Sequence, residues 1–314
     1  MQKVQLGNTD LQVSQMGLGC LYFGARDSKE KSFKRMDQYL AAGGNFFDTA
    51  NIYSHWINDQ TNGGESEEMI GKWLQARNNR SEVIIASKVG FPYPGTKYGT
   101  SKEQIKKEFH KSLERLGTDY IELYYAHTDD FDTPMKETLE AFNELITEGK
   151  VRAIGASNFK AWRLERARQI AKRNHWQSYS VIQQRYSYLR PKSGWDFGNQ
   201  VAANQDLFEY VKDTGISLVA YSPLLQGAYT NPKKEFKEHY QGPDTEKRLA
   251  VLDEIVAEIG ATRNQLVYYW LMNREPEAIP LVAATTDDQF EEALGSLELN
   301  LSEDMIKAMT ESRF

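Results

Sequence analysis

The sequence lacks the features of disulfide-stabilised, membrane-spanning and nucleic-acid-binding proteins. Its 314 residues include one cysteine, Cys20, which excludes an internal disulfide, and nothing beside it has metal-ligand spacing. The net charge of −6 provides no basic surface for nucleic acid or anionic lipid. No run of about 18 apolar residues occurs, and the start lacks a basic segment followed by an apolar core. We expect a cytoplasmic protein with small-molecule partners, no metal, and Cys20 buried in a strand.

Strand-like and helix-like segments alternate along the chain, whose 40% hydrophobic and 26% charged residues are typical of a globular protein. Short runs rich in β-branched and aromatic residues are separated by longer segments with helical periodicity. The eight predicted strands are QMGLGC, NFFDTA, EVIIASK, IELYYAH, VRAIGAS, SVIQQRYS, SLVAYSP and AIPLVAA. The predicted helices that follow them span residues 29–42, 65–78, 101–116, 135–148, 160–174, 200–213, 264–273 and 287–294. Each predicted strand is thus followed by one helix.

This alternation, with apolar central strands, indicates an α/β protein with a parallel sheet covered by helices. Two topologies compete. A doubly wound sheet usually carries a G-x-G-x-x-G turn after its first strand, whereas Gly17, Gly19 and Gly24 have the wrong spacing and begin inside the strand. Eight uninterrupted units favour a (β/α)8 TIM barrel, and a doubly wound dehydrogenase is the weaker alternative.

Three further segments lie outside the eight units. VQLGNTDLQVS predicts an N-terminal hairpin with Gly7 and Asn8 at its turn, which would cap the bottom of the barrel. After the seventh strand, residues 224–263 contain turn residues and a helix near 245–259, and SEDMIKAMTES predicts an extra C-terminal helix. The length allows one or two domains. Because no linker or low-complexity tract appears, we interpret residues 1–314 as one domain.

Four polar residues lie at or just past the ends of three consecutive predicted strands. Asp48 ends the second strand, Tyr53 follows it, Lys88 ends the third and His127 ends the fourth. The separations of 40 residues (88 minus 48) and 39 residues (127 minus 88) each fit one strand-helix unit. The carboxyl ends of barrel strands line a common mouth, so the four side chains are expected to converge there. Each one alone has an ordinary structural explanation, such as a turn cap, a rim charge or core packing.

The four residue types suit the reduction of a carbonyl group. A phenol has an ordinary pKa of about 10, so Tyr53 needs a neighbouring cation to become a good proton donor. Lys88 is expected to supply that charge and lower the Tyr53 pKa, and Asp48 to hold Lys88 in place. His127 can donate a hydrogen bond to a carbonyl oxygen. Since no side chain delivers hydride, a nicotinamide cofactor must complete the site.

The chain resembles the aldo-keto reductase family over nearly its whole length. The motifs that carry the resemblance, in order, are MGLGC, FFDTANIY with GGESEEMIGKWL, IIASK, YYAH, TLEAFNELITEGKVRAIGASNF, VIQQRYS and AYSPL. The resemblance implies that Asp48, Tyr53, Lys88 and His127 form the catalytic tetrad, with Tyr53 as general acid. It further implies that Ser157, Asn158 and Gln183 bind the nicotinamide carboxamide and that Tyr221 stacks on its ring. Ser157 and Asn158 could instead merely cap the next helix.

The rest of the cofactor is expected along two later loops. The pyrophosphate is assigned to the loop after the seventh strand, where Gly227 allows close backbone approach, and the adenosine to the segment after the eighth. The residues assigned are Ser222, Leu224, Gln226 and Gly227 in the first, and Ala284, Thr285, Thr286, Gln289 and Glu292 in the second.

The adenosine segment departs from the family pattern. Many members carry Lys or Arg there for the 2′-phosphate of NADPH and a later Asn for adenine, where this chain has Thr285, Thr286 and Ala293. Asp287 and Asp288 add repulsion that no cation is expected to compensate. NADPH is the first expected cofactor by resemblance, with NADH a competitor and weak discrimination between them.

The predicted function is therefore NAD(P)H-dependent reduction of aldehydes or ketones, which runs in reverse as alcohol oxidation. Tyr22, Trp56 and Tyr93 follow predicted strands and are expected to line an aromatic pocket for an apolar carbonyl compound. A nucleotide-binding regulatory or sensor protein with little turnover is the alternative, because a fold and a bound cofactor do not prove catalysis. The sequence does not predict the oligomeric state.

Overall fold

Eight parallel strands close into a barrel in the computed structural model, which describes residues 1–311. The barrel strands are β3 (Gly17–Gly19), β4 (Phe46–Asp48), β5 (Ile84–Val89), β6 (Ile121–Ala126), β7 (Val151–Ser157), β8 (Val181–Arg185), β9 (Ser217–Tyr221) and β10 (Ala278–Val282). They pair in chain order, and β10 pairs with β3 to complete the ring. The predicted (β/α)8 barrel is confirmed.

An antiparallel hairpin closes the amino-terminal end of the barrel, as predicted. Its strands are β1 (Lys3–Gln5) and β2 (Gln12–Ser14). Leu6, Leu11 and Val13 of this segment belong to the same apolar cluster as the inward-facing barrel residues. The hairpin is also tied to the barrel wall, because the Gly7 amide donates to Ser217 Oγ at 2.6 Å. The mouth of the barrel must therefore lie at the opposite end.

Helices surround the barrel and bury its outer face. Their bounds are α1 (Lys29–Ala41), α2 (Glu65–Arg77), α3 (Lys102–Leu116), α4 (Met135–Thr147), α5 (Ala161–Asn174), α6 (Gln205–Thr214), α7 (Pro243–Ile259), α8 (Arg263–Asn273), α9 (Asp287–Gly295) and α10 (Glu303–Glu311). Within residues 1–311, none of them is long and apolar enough to cross a bilayer.

Most helix bounds agree with the predicted segments to within about two residues, and α6 is the exception. The prediction began it at residue 200, but it begins at Gln205, where the Asn204 side chain caps it by accepting from the Leu207 amide at 3.0 Å. Ser101 caps α3, with its hydroxyl accepting from the Gln104 amide at 3.4 Å.

A glycine at the wall of the barrel makes room for an aromatic ring inside it. Gly155 of β7 pairs with Tyr125 of β6, and both lie in the barrel interior. A Cβ atom at residue 155 would lie 2.4 Å from two carbon atoms of the Tyr125 ring. The interior of the barrel is packed at this level and cannot accept one more methyl group without displacement of the ring.

We therefore expect Gly155→Ala to lower the free energy of unfolding by about 1–3 kcal/mol, the usual cost of overpacking a core. Urea unfolding followed by circular dichroism measures it. The control is the same substitution in a Tyr125→Ala background, where the clash is absent and the added cost should be smaller. An equal cost in both backgrounds would contradict the packing explanation.

Candidate active site

The barrel brings the four predicted catalytic residues together at its carboxyl-terminal mouth. Asp48 is the last residue of β4, Lys88 is the penultimate residue of β5, and His127 directly follows β6. Tyr53 lies in the loop after β4, and its backbone amide donates to the Ala50 carbonyl at 3.1 Å. Parallel pairing of β4, β5 and β6 is what aligns these strand ends, so the predicted convergence has a direct topological cause.

The Lys88 ammonium is the centre of this group. It is fully buried and donates to Asp48 Oδ1 at 2.6 Å, to the Thr49 carbonyl at 2.7 Å and to the Tyr53 hydroxyl at 2.9 Å. These three acceptors use all three protons of an ammonium. Burial lowers the Lys88 pKa, and the Asp48 carboxylate opposes that shift.

The Tyr53 phenol is held between the cation and the carboxylate. Its oxygen also lies 3.3 Å from Asp48 Oδ1. Burial, followed by the charge of Asp48, raises the Tyr53 pKa well above its ordinary value. The net direction differs from the expected lowering of the Tyr53 pKa, because desolvation and the Asp48 carboxylate dominate it. The phenol therefore carries its proton at neutral pH.

His127 faces the same space with an imidazole that is 8% exposed. Its ring lies 5.9 Å from the Tyr53 ring and 4.7 Å from the Phe91 ring, measured between centroids. Nδ1 is buried and has no hydrogen-bond partner within residues 1–311. Burial, with a smaller contribution from Lys88, lowers the His127 pKa well below its ordinary value. The imidazole is therefore neutral and can offer one N–H to an acceptor.

The amide residues at the next strand ends are bonded to this group. Gln183 of β8 donates from Nε2 to Asp48 Oδ2 at 2.7 Å, and Asn158 donates from Nδ2 to the His127 carbonyl at 3.0 Å. The Tyr221 hydroxyl donates to Asn158 Oδ1 at 2.8 Å. Neither Ser157 nor Asn158 caps α5, because the cap position is Lys160. Their side chains belong to the mouth of the barrel.

A cavity of about 830 Å³ extends from these residues across the mouth. Asp48, Tyr53 and His127 line one part of it, while Thr285 and Glu292 line another. The other predicted cofactor and substrate residues on its wall are Ser157, Asn158, Gln183, Tyr221, Ser222, Leu224, Gln226, Gly227, Ala284, Gln289, Tyr22 and Trp56.

Besides the buried Lys88, two predicted residues lie outside the lining of this cavity as the described residues form it. Tyr93 is buried under the loops instead, where its hydroxyl donates to Glu108 Oε2 at 2.5 Å and accepts from Arg115 at 3.0 Å. Thr286 caps α9, its hydroxyl accepting from the Gln289 amide at 3.2 Å. Tyr93 therefore supports loop packing, and Thr286 caps the start of α9.

The cavity also contains residues that the sequence reasoning missed. Phe91 lies three residues past Lys88, so its place just after a strand end was a signal that could have identified it. Arg26, Lys234 and Asn264 also line the cavity, but they stand far from any strand end. Arg26 and Lys234 lie in the loops after β3 and β9, and Asn264 lies in the first turn of α8, so only the tertiary structure brings the three to one cavity.

The residues present fit a dinucleotide. The cavity wall includes both Tyr53 and Glu292, and the loop after β9 places Ser222, Leu225, Gln226 and Gly227 at φ angles of 54°, 48°, 63° and 86°. Consecutive left-handed residues can turn backbone N–H groups toward an anion such as a pyrophosphate. Hydroxyl and amide side chains at Thr285, Gln289 and Asn264 provide hydrogen-bonding partners for a sugar and a base.

Comparisons with known proteins give one consistent result. The model of the Aldo/keto reductase family matches residues 15–313. Uncharacterized oxidoreductase YrpG of Bacillus subtilis (strain 168) is 30% identical over 99% of this chain and 95% of its own. Versiconal hemiacetal acetate reductase of Aspergillus parasiticus is 28% identical over 99% of this chain and 96% of its own. Aryl-alcohol dehydrogenase GME11368 of Pestalotiopsis microspora is 26% identical over 94% of this chain and 77% of its own.

We expect His127 to remain neutral at pH 6, where an ordinary histidine with a pKa of about 6.5 is mostly protonated. A lowered pKa means that protonation occurs only at more acidic pH, so the neutral imidazole persists across the neutral range. NMR of ¹⁵N-histidine-labelled protein measures the state of each ring, and the His127→Asn variant assigns the signal. A doubly protonated His127 signal at pH 6 would contradict this expectation.

Proposed function

The chain belongs to the aldo/keto reductase family, and from that premise we propose that it reduces aldehydes or ketones to alcohols with NADPH or NADH. The substrates are small carbonyl compounds. The observation that carries the proposal is the buried Lys88 ammonium 2.9 Å from the Tyr53 hydroxyl. Tyr53 and His127 line the same cavity. This arrangement pairs a proton donor with a group that orients a carbonyl oxygen.

The chain's own residues bind the cofactor and manage one proton. A nicotinamide dinucleotide supplies the hydride when bound. Ser157, Asn158, Gln183 and Tyr221 hold the nicotinamide end, and the loop from Ser222 to Gly227 holds the pyrophosphate. The segment from Ala284 to Glu292 would hold the adenosine. These positions follow the family resemblance and the shape of the cavity together.

His127 and Tyr53 act on the carbonyl oxygen of the substrate. The neutral imidazole donates a hydrogen bond that orients the oxygen, and it polarises the carbonyl as negative charge develops. The Tyr53 hydroxyl then transfers its proton to that oxygen. Lys88, 2.9 Å from the hydroxyl, stabilises the phenolate that remains and opposes the effect of burial and Asp48 on the Tyr53 pKa. Asp48 positions Lys88, and the same steps in reverse oxidise an alcohol.

We propose an aryl carbonyl compound as the substrate class. Tyr22, Trp56 and Phe91 line the catalytic part of the cavity, and the Trp56 ring lies 6.3 Å from the Tyr53 ring at an interplanar angle of 85°. Aromatic walls favour a flat aromatic substrate through ring contacts. The name of the aryl-alcohol dehydrogenase relative agrees with this class.

Tyr53→Phe is expected to lower kcat for an aryl aldehyde by about 10²- to 10⁴-fold, because it removes the proton donor. Dinucleotide affinity, measured by quenching of protein fluorescence, should stay near that of the wild type. Tyr210→Phe is the matched control, since it removes a phenol oxygen from α6, where the hydroxyl contacts Glu165. Wild-type turnover in Tyr53→Phe would refute the assignment. Dinucleotide binding without turnover in the wild-type protein would instead support a sensor.

Trp56→Ala is expected to raise KM for 2-naphthaldehyde roughly 3- to 10-fold, since one aromatic contact contributes about 0.5–1.5 kcal/mol. KM for propanal, which has no ring, should change less. Trp162→Ala is the matched control: Trp162 is 54% exposed and Trp56 is 48% exposed, but only Trp56 lines the cavity. Steady-state kinetics with both aldehydes gives the comparison. Equal KM changes for the two aldehydes would exclude Trp56 as an aromatic wall.

A further inference from the structure

The adenosine part of the cavity is the part lined by Thr285, Gln289 and Glu292. It has a carboxylate and no free cation, and we propose that it selects NADH over NADPH. The inference rests on the proposed function and concerns the same site. It replaces the NADPH-first expectation of the family resemblance. The residues that decide it are Glu292 and Asp287, together with the two α1 cations that Asp287 binds.

Glu292 is the charged residue on the wall of this part. It is partly buried on α9, and its Oε2 accepts a hydrogen bond from Asn264 Nδ2 at 3.0 Å. No ion pair to Glu292 occurs within the described part of the chain. Nearby, Thr285 donates from its amide and its hydroxyl to Gln289 Oε1, both at 2.9 Å. The wall thus presents neutral hydrogen-bonding groups and one unneutralised carboxylate.

The cations that line the cavity are engaged on other segments. Within residues 1–311 the cations on the cavity wall are Arg26 and Lys234, and Lys88 lies fully buried behind that wall. Lys88 is saturated at the catalytic end by Asp48 and its other acceptors. Arg26 lies over the Tyr22 ring, 3.3 Å from its centroid, on the loop after β3. Lys234 donates to the Gln226 carbonyl on the loop after β9.

Two further cations stand at the start of α9 but are held outside the cavity. Lys34 and Arg35 of α1 bind the two oxygens of Asp287 at 2.6 Å and 3.1 Å. The sequence expectation that no cation compensates Asp287 is therefore wrong. The site is still unfavourable for the 2′-phosphate of NADPH, because Lys34 and Arg35 already form ion pairs with Asp287. Asp288 adds another negative charge at the same helix start.

Charge decides between the two dinucleotides. A phosphate monoester carries a charge of about −1.5 to −2 at neutral pH, so the 2′-phosphate of NADPH would be repelled by Glu292 without a cation to compensate. The 2′-hydroxyl of NADH is neutral and can donate a hydrogen bond to a carboxylate. Dinucleotide-binding folds of another class use the same chemistry, with an acidic residue on the ribose hydroxyl for NAD and an arginine for NADP.

The test is the dissociation constant of the full chain for NADH and for NADPH, measured by isothermal titration calorimetry. We expect NADH to bind at least about tenfold more tightly, the range for one charge-assisted hydrogen bond. Equal or tighter binding of NADPH would overturn the inference and leave the proposed function standing. Failure of both nucleotides to bind would overturn the proposed function as well.

Two substitutions test the cause. Glu292→Gln removes the carboxylate and should narrow the preference for NADH by about tenfold, whereas Glu291→Gln, the exposed neighbouring acid, should not. Thr285→Arg places a cation on the cavity wall and should tighten NADPH binding by about tenfold with little change for NADH. The melting temperature of each variant checks its folding. A preference unchanged in both Glu292→Gln and Thr285→Arg would contradict the charge argument.

Discussion

The buried ammonium of Lys88 is the constraint on which the candidate active site depends. A charged group inside a barrel loses its hydration, and several kcal/mol of desolvation must be offset by close, well-oriented partners. Asp48, the Thr49 carbonyl and Tyr53 provide those partners, and all three come from the end of β4 and the loop after it. The need to satisfy one cation thus holds the Tyr53 loop against β5.

Closure of the barrel extends this arrangement around the mouth. Gln183 is 135 residues from Asp48 along the chain, yet β8 and β4 lie across the ring from each other and their side chains meet inside it. Asn158 links the His127 carbonyl to the Tyr221 hydroxyl in the same manner. Gln183 and Asn158, which the resemblance assigns to the nicotinamide, are therefore hydrogen-bonded to Asp48 and His127 within the chain itself. The proposed nicotinamide site and the candidate catalytic residues share one hydrogen-bond network.

Prediction from the sequence succeeded where a residue's place depended on strand ends. Asp48, Lys88 and His127 each lie at the end of an apolar run, and parallel pairing was enough to bring them together. It failed for Tyr93, which also follows a strand but is drawn into the loop packing by Glu108 and Arg115. The prediction was also wrong for the start of α6. Residues 200–204 were predicted to be helical, but the helix begins at Gln205, after the Asn204 cap.

The sequence by itself determined the number of strand-helix units, the family and the four candidate catalytic residues, because periodicity and motif spacing are local properties. Only the tertiary structure decided the direction of the Tyr53 pKa shift, because desolvation depends on burial among distant segments. It also decided the charge at the adenosine end. Asp287 looked uncompensated along the chain, but Lys34 and Arg35, some 250 residues earlier, contact it through the closure of β10 against β3.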